Sequence, residues 1–153
     1  MHRLELRIPP LVLVAIFVAA IVAASVWMPL VRVPLPAHRA LGVLLVLVGL
    51  GVALAGVVAF RRARTTVNPM APQRATAVVR TGIYRLSRNP MYLGMALALL
   101  GLAAWGSTLT GYALVATFCG YLTRFQIKPE ERALLQRFGA EFADYMGQVR
   151  RWI

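Results

Sequence analysis

Uncharged apolar runs alternate with short arginine-bearing breaks along this chain, and the runs have lengths that matter to a bilayer. Residues 8–31 carry no charge, and the apolar part from Leu11 to Met28 would extend about 27 Å as a helix at ~1.5 Å per residue. A second uncharged run covers Ala40 to Phe60, and from Met91 to Phe125 the only charge is Arg124. That last stretch accommodates two short helices with Gly106-Ser107-Thr108 as the turn between them. The pattern predicts four spans, at 11–28, 40–60, 91–106 and 109–125.

Within the second run Gly42, Gly49, Ala53 and Gly56 fall on one helical face, where a neighbouring helix can approach the backbone closely. Gly49, Gly51 and Gly56 follow no strand and lack dinucleotide-loop spacing, so they read as packing residues. Asn89-Pro90 predicts a turn, with a helix starting at Pro90 or Met91 and Asn89 as its cap. Beyond Lys128, Leu134, Leu135, Phe138, Phe142, Tyr145 and Val149 recur at three- and four-residue spacing. They predict an amphipathic helical segment lying along the membrane interface, which Gly139 can break in two. Pro129 would open it, with Glu130 and Glu131 in its first turn complementing the helix dipole. The expected fold is therefore all-α: one integral membrane domain over residues 1–153, four transmembrane helices plus a C-terminal amphipathic interfacial segment.

Composition agrees with the pattern, since 59% of residues are hydrophobic, only 14% are charged and the mean hydropathy is +0.69. An average soluble domain is roughly 25% charged. The net charge of +12 invites a nucleic-acid partner, but its placement argues otherwise. Arg61, Arg62, Arg64, Arg74, Arg80, Arg85 and Arg88 lie between apolar runs with no acid among them, as the positive-inside rule expects of a cytoplasmic loop facing anionic headgroups. Connectors 29–39 and 106–110 then face outward, every polar motif lies on the cytoplasmic side of a plasma or inner membrane, and no nucleic-acid partner is expected. Arg3 and Arg7 before the first run suit a signal peptide, but its apolar core is long for one and further runs follow, which favours an anchor. The single Cys119 excludes an internal disulfide and reads as packing.

Few catalytic chemistries have the residues they need. His2 and His38 stand alone and no Cys/His cluster has ligand spacing, so no metal is expected. Serine hydrolysis lacks a histidine in the polar loop, and the first three spans hold no ionisable group of the kind that marks an ion pathway. What remains is a polar face made from 76–92 and 124–131. A carboxylate held there beside aromatic rings suits a ligand carrying an ammonium or a sulfonium.

Thr81-Gly82-Ile83-Tyr84, then Arg88-Asn89-Pro90-Met91-Tyr92-Leu93-Gly94, then Glu130-Glu131 followed by Phe138-Gly139 and Tyr145, resemble in order and spacing the signature of the isoprenylcysteine carboxyl methyltransferase family. The likeness covers roughly 66–152 and extends to the family's bacterial relatives and to phospholipid N-methyltransferases. It implies an S-adenosylmethionine-dependent membrane methyltransferase with its cofactor between segments 66–92 and 124–152. Thr76, Ala77, Val78, Val79, Tyr84, Asn89, Pro90, Met91, Tyr92 and Glu130 would line that cofactor, with Glu130 answering its positive charge. Gln126 and Arg124 would face the acceptor. The resemblance further implies a lipophilic small-molecule or lipid substrate reached from the membrane, and no obligate protein partner is evident in the chain.

Two departures bear on chemistry. Asn89 stands where the family often has histidine, and an amide cannot titrate near neutral pH. Gln126 stands where the eukaryotic enzymes place an arginine for the substrate carboxylate, so a prenylcysteine carboxylate would need Arg124 or Arg85 instead. Amine-headed lipids, small apolar molecules methylated on N, O or S, and a helical membrane protein without catalysis are the alternatives. Methyl transfer needs near-linear approach rather than acid/base work, so few catalytic side chains are required.

Overall fold

The helices of the described chain follow the apolar runs. The computed structural model describes residues 5–27, 31–33, 36–66 and 70–153, and gives α1 (Pro10–Trp27), α2 (His38–Arg62), α3 (Pro90–Gly106), α4 (Leu109–Leu122), α5 (Lys128–Phe138) and α6 (Ala140–Gln148). Single 3-10 turns lie at Pro72–Arg74 and Gly82–Arg85. Among the described residues there is no strand, only a bridge between Arg32 and Thr108. The predicted first span's last residue, Met28, the connector prolines Pro29 and Pro34, and residues 67–69 of the predicted cofactor segment lie outside the described residues.

The closest helix pair is α2 on α3, and glycine makes it. Gly42, Gly49 and Gly56 recur every seven residues on α2, and Gly94 and Gly101 do so on α3. A Cβ on Gly42 would lie 2.7 Å from the Gly101 carbonyl oxygen, and one on Gly49 would lie 2.6 Å from that of Gly94. The two backbones touch, as the sequence face predicts, and dispersion and weak C–H···O contacts replace side-chain interdigitation. The opposite face of α2 is apolar yet open, with Leu44, Leu47 and Leu54 57–63% exposed, a surface suited to lipid.

On its other side α3 packs against α1 and α4. Leu13, Ile21, Leu99, Phe118 and Leu122 form the core there, and Phe17 meets Phe118 edge to face with ring centres 5.3 Å apart. The α1–α2 and α3–α4 connectors are joined: Val33 N–H donates to the Ser107 carbonyl at 2.8 Å, and Leu109 N–H donates to that of Val31 at 3.0 Å. The end of α1, the start of α2 and the α3–α4 turn thus gather at one end of the bundle.

Among the described residues α1 and α2 are long and apolar enough to cross a membrane, two helices rather than the four expected. Local chemistry shortens the others. Pro90 fixes where α3 begins and Ser107, at φ 53°, fixes where it ends, leaving 17 residues. Regular α4 stops after 14 residues because Thr123–Ile127 forms a π turn. Pro129 explains it: it has no N–H for the Phe125 carbonyl four residues earlier, and its ring crowds that oxygen, so the turn opens. The helix expected to open at Pro129 is instead continuous with α4 through the widened turn.

Gly139, at φ 53°, does separate α5 from α6. Leu134, Phe138, Phe142, Tyr145 and Val149 pack with Phe60, Val79 and Tyr84 in a second apolar cluster. Leu135, placed on the same stripe by spacing, is 41% exposed and lies off it.

The glycine contact yields a test. Gly94→Val should destabilise the protein by about 1–3 kcal/mol through overpacking, lowering Tm in detergent by roughly 2–10 °C. Gly51→Val serves as the control, because nothing lies within 4 Å of a Cβ there. Equal melting temperatures would contradict close α2–α3 packing.

Candidate functional site

At the end of the bundle opposite the joined connectors, two adjacent carboxylates, Glu131 buried and Glu130 half-buried, are compensated in different ways. Glu131 is matched by arginines: Arg88 donates to its Oε1 at 2.8 Å, and Arg151 donates to Oε1 at 3.0 Å and to Oε2 at 2.7 Å. Arg88 is itself nine-tenths buried and also donates to the Met146 carbonyl at 2.8 Å. Such charge-assisted bonds offset desolvation only when both partners are present.

The same network ties the C-terminal residues over the start of α3. Arg88 N–H donates to the Arg150 carbonyl at 3.0 Å and Asn89 Nδ2 donates to that of Arg151 at 2.9 Å. Asn89 occupies the N-cap position, but its side chain caps nothing. The expected capping role is therefore corrected: the amide spends its donor on the C-terminal strap.

Glu130 has no such cation. Among the described residues no salt bridge reaches it; the Tyr92 hydroxyl donates to its Oε1 in a short hydrogen bond, and Gln126 Nε2 donates to the same oxygen at 2.9 Å. Burial pushes its carboxyl from the ordinary 4.5 up to about 8; the two hydrogen bonds pull it down, and neighbouring Glu131 raises it further. Nearby, burial holds the Tyr84 hydroxyl well above the usual phenol range, with Tyr145 and Glu130 adding repulsion. Tyr145 is pushed up to about 12 by burial, against the pull of Arg88 and Arg80, and donates to the Tyr84 carbonyl at 2.7 Å. Both phenols stay neutral and act as ring walls, and Tyr145 is in addition a hydrogen-bond donor.

These groups face a cavity of about 620 Å³, within the range of small-molecule and cofactor sites. Its walls are overwhelmingly apolar, from Pro9–Leu11 before and at the start of α1, Leu50 to Phe60 on α2, and Met91 and Met95 on α3. Phe60, Tyr84, Tyr92, Phe142 and Tyr145 supply rings, and Arg88, Glu130 and Glu131 supply the charges. A carboxyl without a resident cation among aromatic rings is the donor set that a compact organic cation needs.

Of the residues the sequence put forward, Ala77, Val78, Val79, Tyr84, Asn89, Met91, Tyr92 and Glu130 line this cavity. Thr76 and Pro90 are not on its wall. Thr76 bonds the Thr65 hydroxyl at 2.9 Å and the Arg64 carbonyl at 3.3 Å, and Pro90 is buried beside Gly56. Gln126 stands one hydrogen bond behind the wall, through Glu130. Arg124 is not brought there: it pairs with Glu5 at 3.3 Å. Sequence reasoning missed Arg88, Glu131 and Phe60; the paired acids and the arginine within the Asn-Pro motif were the available signals, whereas nothing local marked Phe60.

The uneven pairing predicts uneven mutational cost. Glu131→Ala leaves two guanidinium groups without their partner and should destabilise by about 3–5 kcal/mol. Glu141→Ala, whose carboxylate is 57% exposed and meets Arg80, should stay within about 1 kcal/mol of wild type. Thermal unfolding in detergent reads both, and comparable losses would remove the case for a buried network.

Residues 37–141 match the phospholipid methyltransferase family, a stretch from just before α2 to the start of α6 that includes Arg88, Gln126, Glu130 and Glu131. An uncharacterized protein of Haemophilus influenzae is 36% identical over 63 residues, which are 41% of this chain and 100% of that protein. No solved structure matches. With the family covering well over half of the chain, Glu130 and Glu131 included, the protein belongs to the phospholipid methyltransferase family, a family of membrane methyltransferases.

Proposed function

We propose that the protein transfers a methyl group from S-adenosylmethionine to an amine-headed lipid that reaches the cavity from the bilayer. The observation that carries this reading is Glu130, a half-buried cavity-facing carboxyl hydrogen-bonded by Tyr92 and Gln126 but paired with no cation among the described residues. Bound S-adenosylmethionine would supply a methyl carbon made electrophilic by its sulfonium. Glu130 offers that charge its counter-ion, with Tyr84, Tyr92 and Tyr145 as polarisable walls. The apolar lining excludes water, and Leu11, Leu50 and Leu54, which are both on the cavity and 52–72% exposed, give an acyl chain a path from the lipid.

The acceptor class follows from the arginines. An isoprenylcysteine carboxylate, the second reading, needs an uncommitted guanidinium. Arg88 is engaged by Glu131 and Met146, Arg124 by Glu5, and Arg85 is exposed and off the cavity wall. An amine makes no such demand, and the family match supports it. Four membrane passes, with the site on the cytoplasmic side, belong to the same proposal. Antiparallel α1–α4 run between the same two ends, α3 is about 25 Å long at ~1.5 Å per residue, and the exposed Arg61, Arg62, Arg64, Arg74 and Arg85 lie at the site end.

The pH dependence has a definite sign. Below about pH 8 the empty site holds Glu130 protonated, whereas a bound sulfonium favours the carboxylate. Cofactor affinity should therefore rise up to tenfold per pH unit as pH approaches 8, level off above it, and release close to one proton at pH 7. The folded empty protein keeps this proton up to about 8 and the unfolded chain only to about 4.5, so its stability falls between those values and ligand restores it.

Calorimetry at pH 9 tests the assignment. Glu130→Gln should weaken S-adenosylmethionine binding by about a hundredfold, equivalent to ~3 kcal/mol, and flatten its pH profile; Glu141→Gln should bind as wild type. If the wild type binds no S-adenosylmethionine, the enzyme reading fails. If Glu130→Gln binds equally well, another group answers the cation.

A further inference from the structure

Pro129 deprives the helix of a donor at the Phe125 carbonyl, and the chain supplies one from the segment before α1. Leu6 N–H donates to the Phe125 oxygen at 3.1 Å, the place an amide at position 129 would have filled. Leu6 does so at φ 55°, a left-handed conformation that a leucine holds only when its surroundings fix it. Glu5 does the fixing. Its side chain is 8% exposed and ties Arg124 within the widened turn, at 3.3 Å, to Arg132 beyond it on α5, at 2.7 Å. From the other side, Trp152 Nε1 donates to the Thr123 hydroxyl at 3.2 Å.

Gln126 lies in the middle of that turn, 1% exposed, with Nε2 on Glu130. One extra residue in a helical turn rotates what it carries by about 100°, so the direction of Gln126 depends on the turn staying open. We propose that Glu5 and Leu6 are positioning residues: a hook that replaces the amide Pro129 lacks and holds the π turn in the form that sets Gln126 against Glu130. The hook touches neither cavity nor ligand and acts wholly through Gln126. It gives Glu5–Arg124 a role distinct from the acceptor contact expected for Arg124.

The test needs no ligand, so its outcome is independent of the methyltransferase reading. The carboxyl stretch of Glu130, assigned by its loss in Glu130→Gln, is titrated by infrared difference spectroscopy in the empty protein. The groups facing it are Tyr92 from α3, Tyr84 from the second 3-10 turn, Glu131 on its own helix and Gln126 from the π turn. Wild type should titrate near pH 8. Pro129→Ala returns the missing N–H, lets the turn close and withdraws Gln126, so the midpoint should move up by about one pH unit while Tm stays near wild type. Glu5→Gln should move it in the same direction, Gln126→Leu should reproduce the shift, and Gln126→Leu combined with Glu5→Gln should add nothing further. A purely structural N-terminal contact would lower Tm without moving the midpoint. Wild-type midpoints in both Pro129→Ala and Glu5→Gln would overturn the proposal.

Discussion

Two carboxylates one residue apart are removed from water at the same helical turn, and they are compensated differently. Glu131 meets two arginines, and through them the start of α3 and the C-terminal strap are bound into one body. Among the described residues Glu130 meets only neutral donors, and burial keeps it largely protonated at neutral pH. A fully paired site would have no electrostatic reason to bind a cation, and an unpaired site without the neighbouring network would have no fixed shape. The paired Glu131 network fixes the local shape while Glu130 remains without a cation among the described residues.

Backbone chemistry in an apolar setting shapes the rest. With little water to satisfy orphaned groups, each helix end or interruption needs a named partner. The α1–α2 and α3–α4 connectors satisfy one another at Val31, Val33, Ser107 and Leu109, and the Phe125 carbonyl is taken by Leu6. Glycine contributes by absence of bulk: α2 lies against α3 closely enough that Gly49 and Gly94 accept no Cβ without a shift. One flank of α2 is thereby left to form the cavity wall from Leu50 to Phe60.

Periodicity made the helices and the glycine face legible, because uncharged runs and seven-residue glycine spacing are local signals. The π turn was not legible as such. Pro129 was visible, but whether a proline starts a helix or widens one depends on a donor more than a hundred residues away. Motif order pointed to Tyr84, Tyr92 and Glu130, which share the cavity, yet it grouped Thr76 and Pro90 with them although their side chains serve the neighbouring loop and helix contact. Arg124 shows the limit of proximity in sequence. Two residues from Gln126, it points to Glu5 because residues two apart on a helix face nearly opposite sides.

Methyl transfer to a lipid is the central claim, and it has a direct readout. Purified protein in bilayers is incubated with methyl-labelled S-adenosylmethionine and a total lipid extract, and the labelled species are separated by headgroup and by lability to base. The expected product is a base-stable label on an amine-headed lipid. No label in any lipid would contradict the enzyme reading, and a base-labile methyl ester would show that the acceptor is a carboxylate after all.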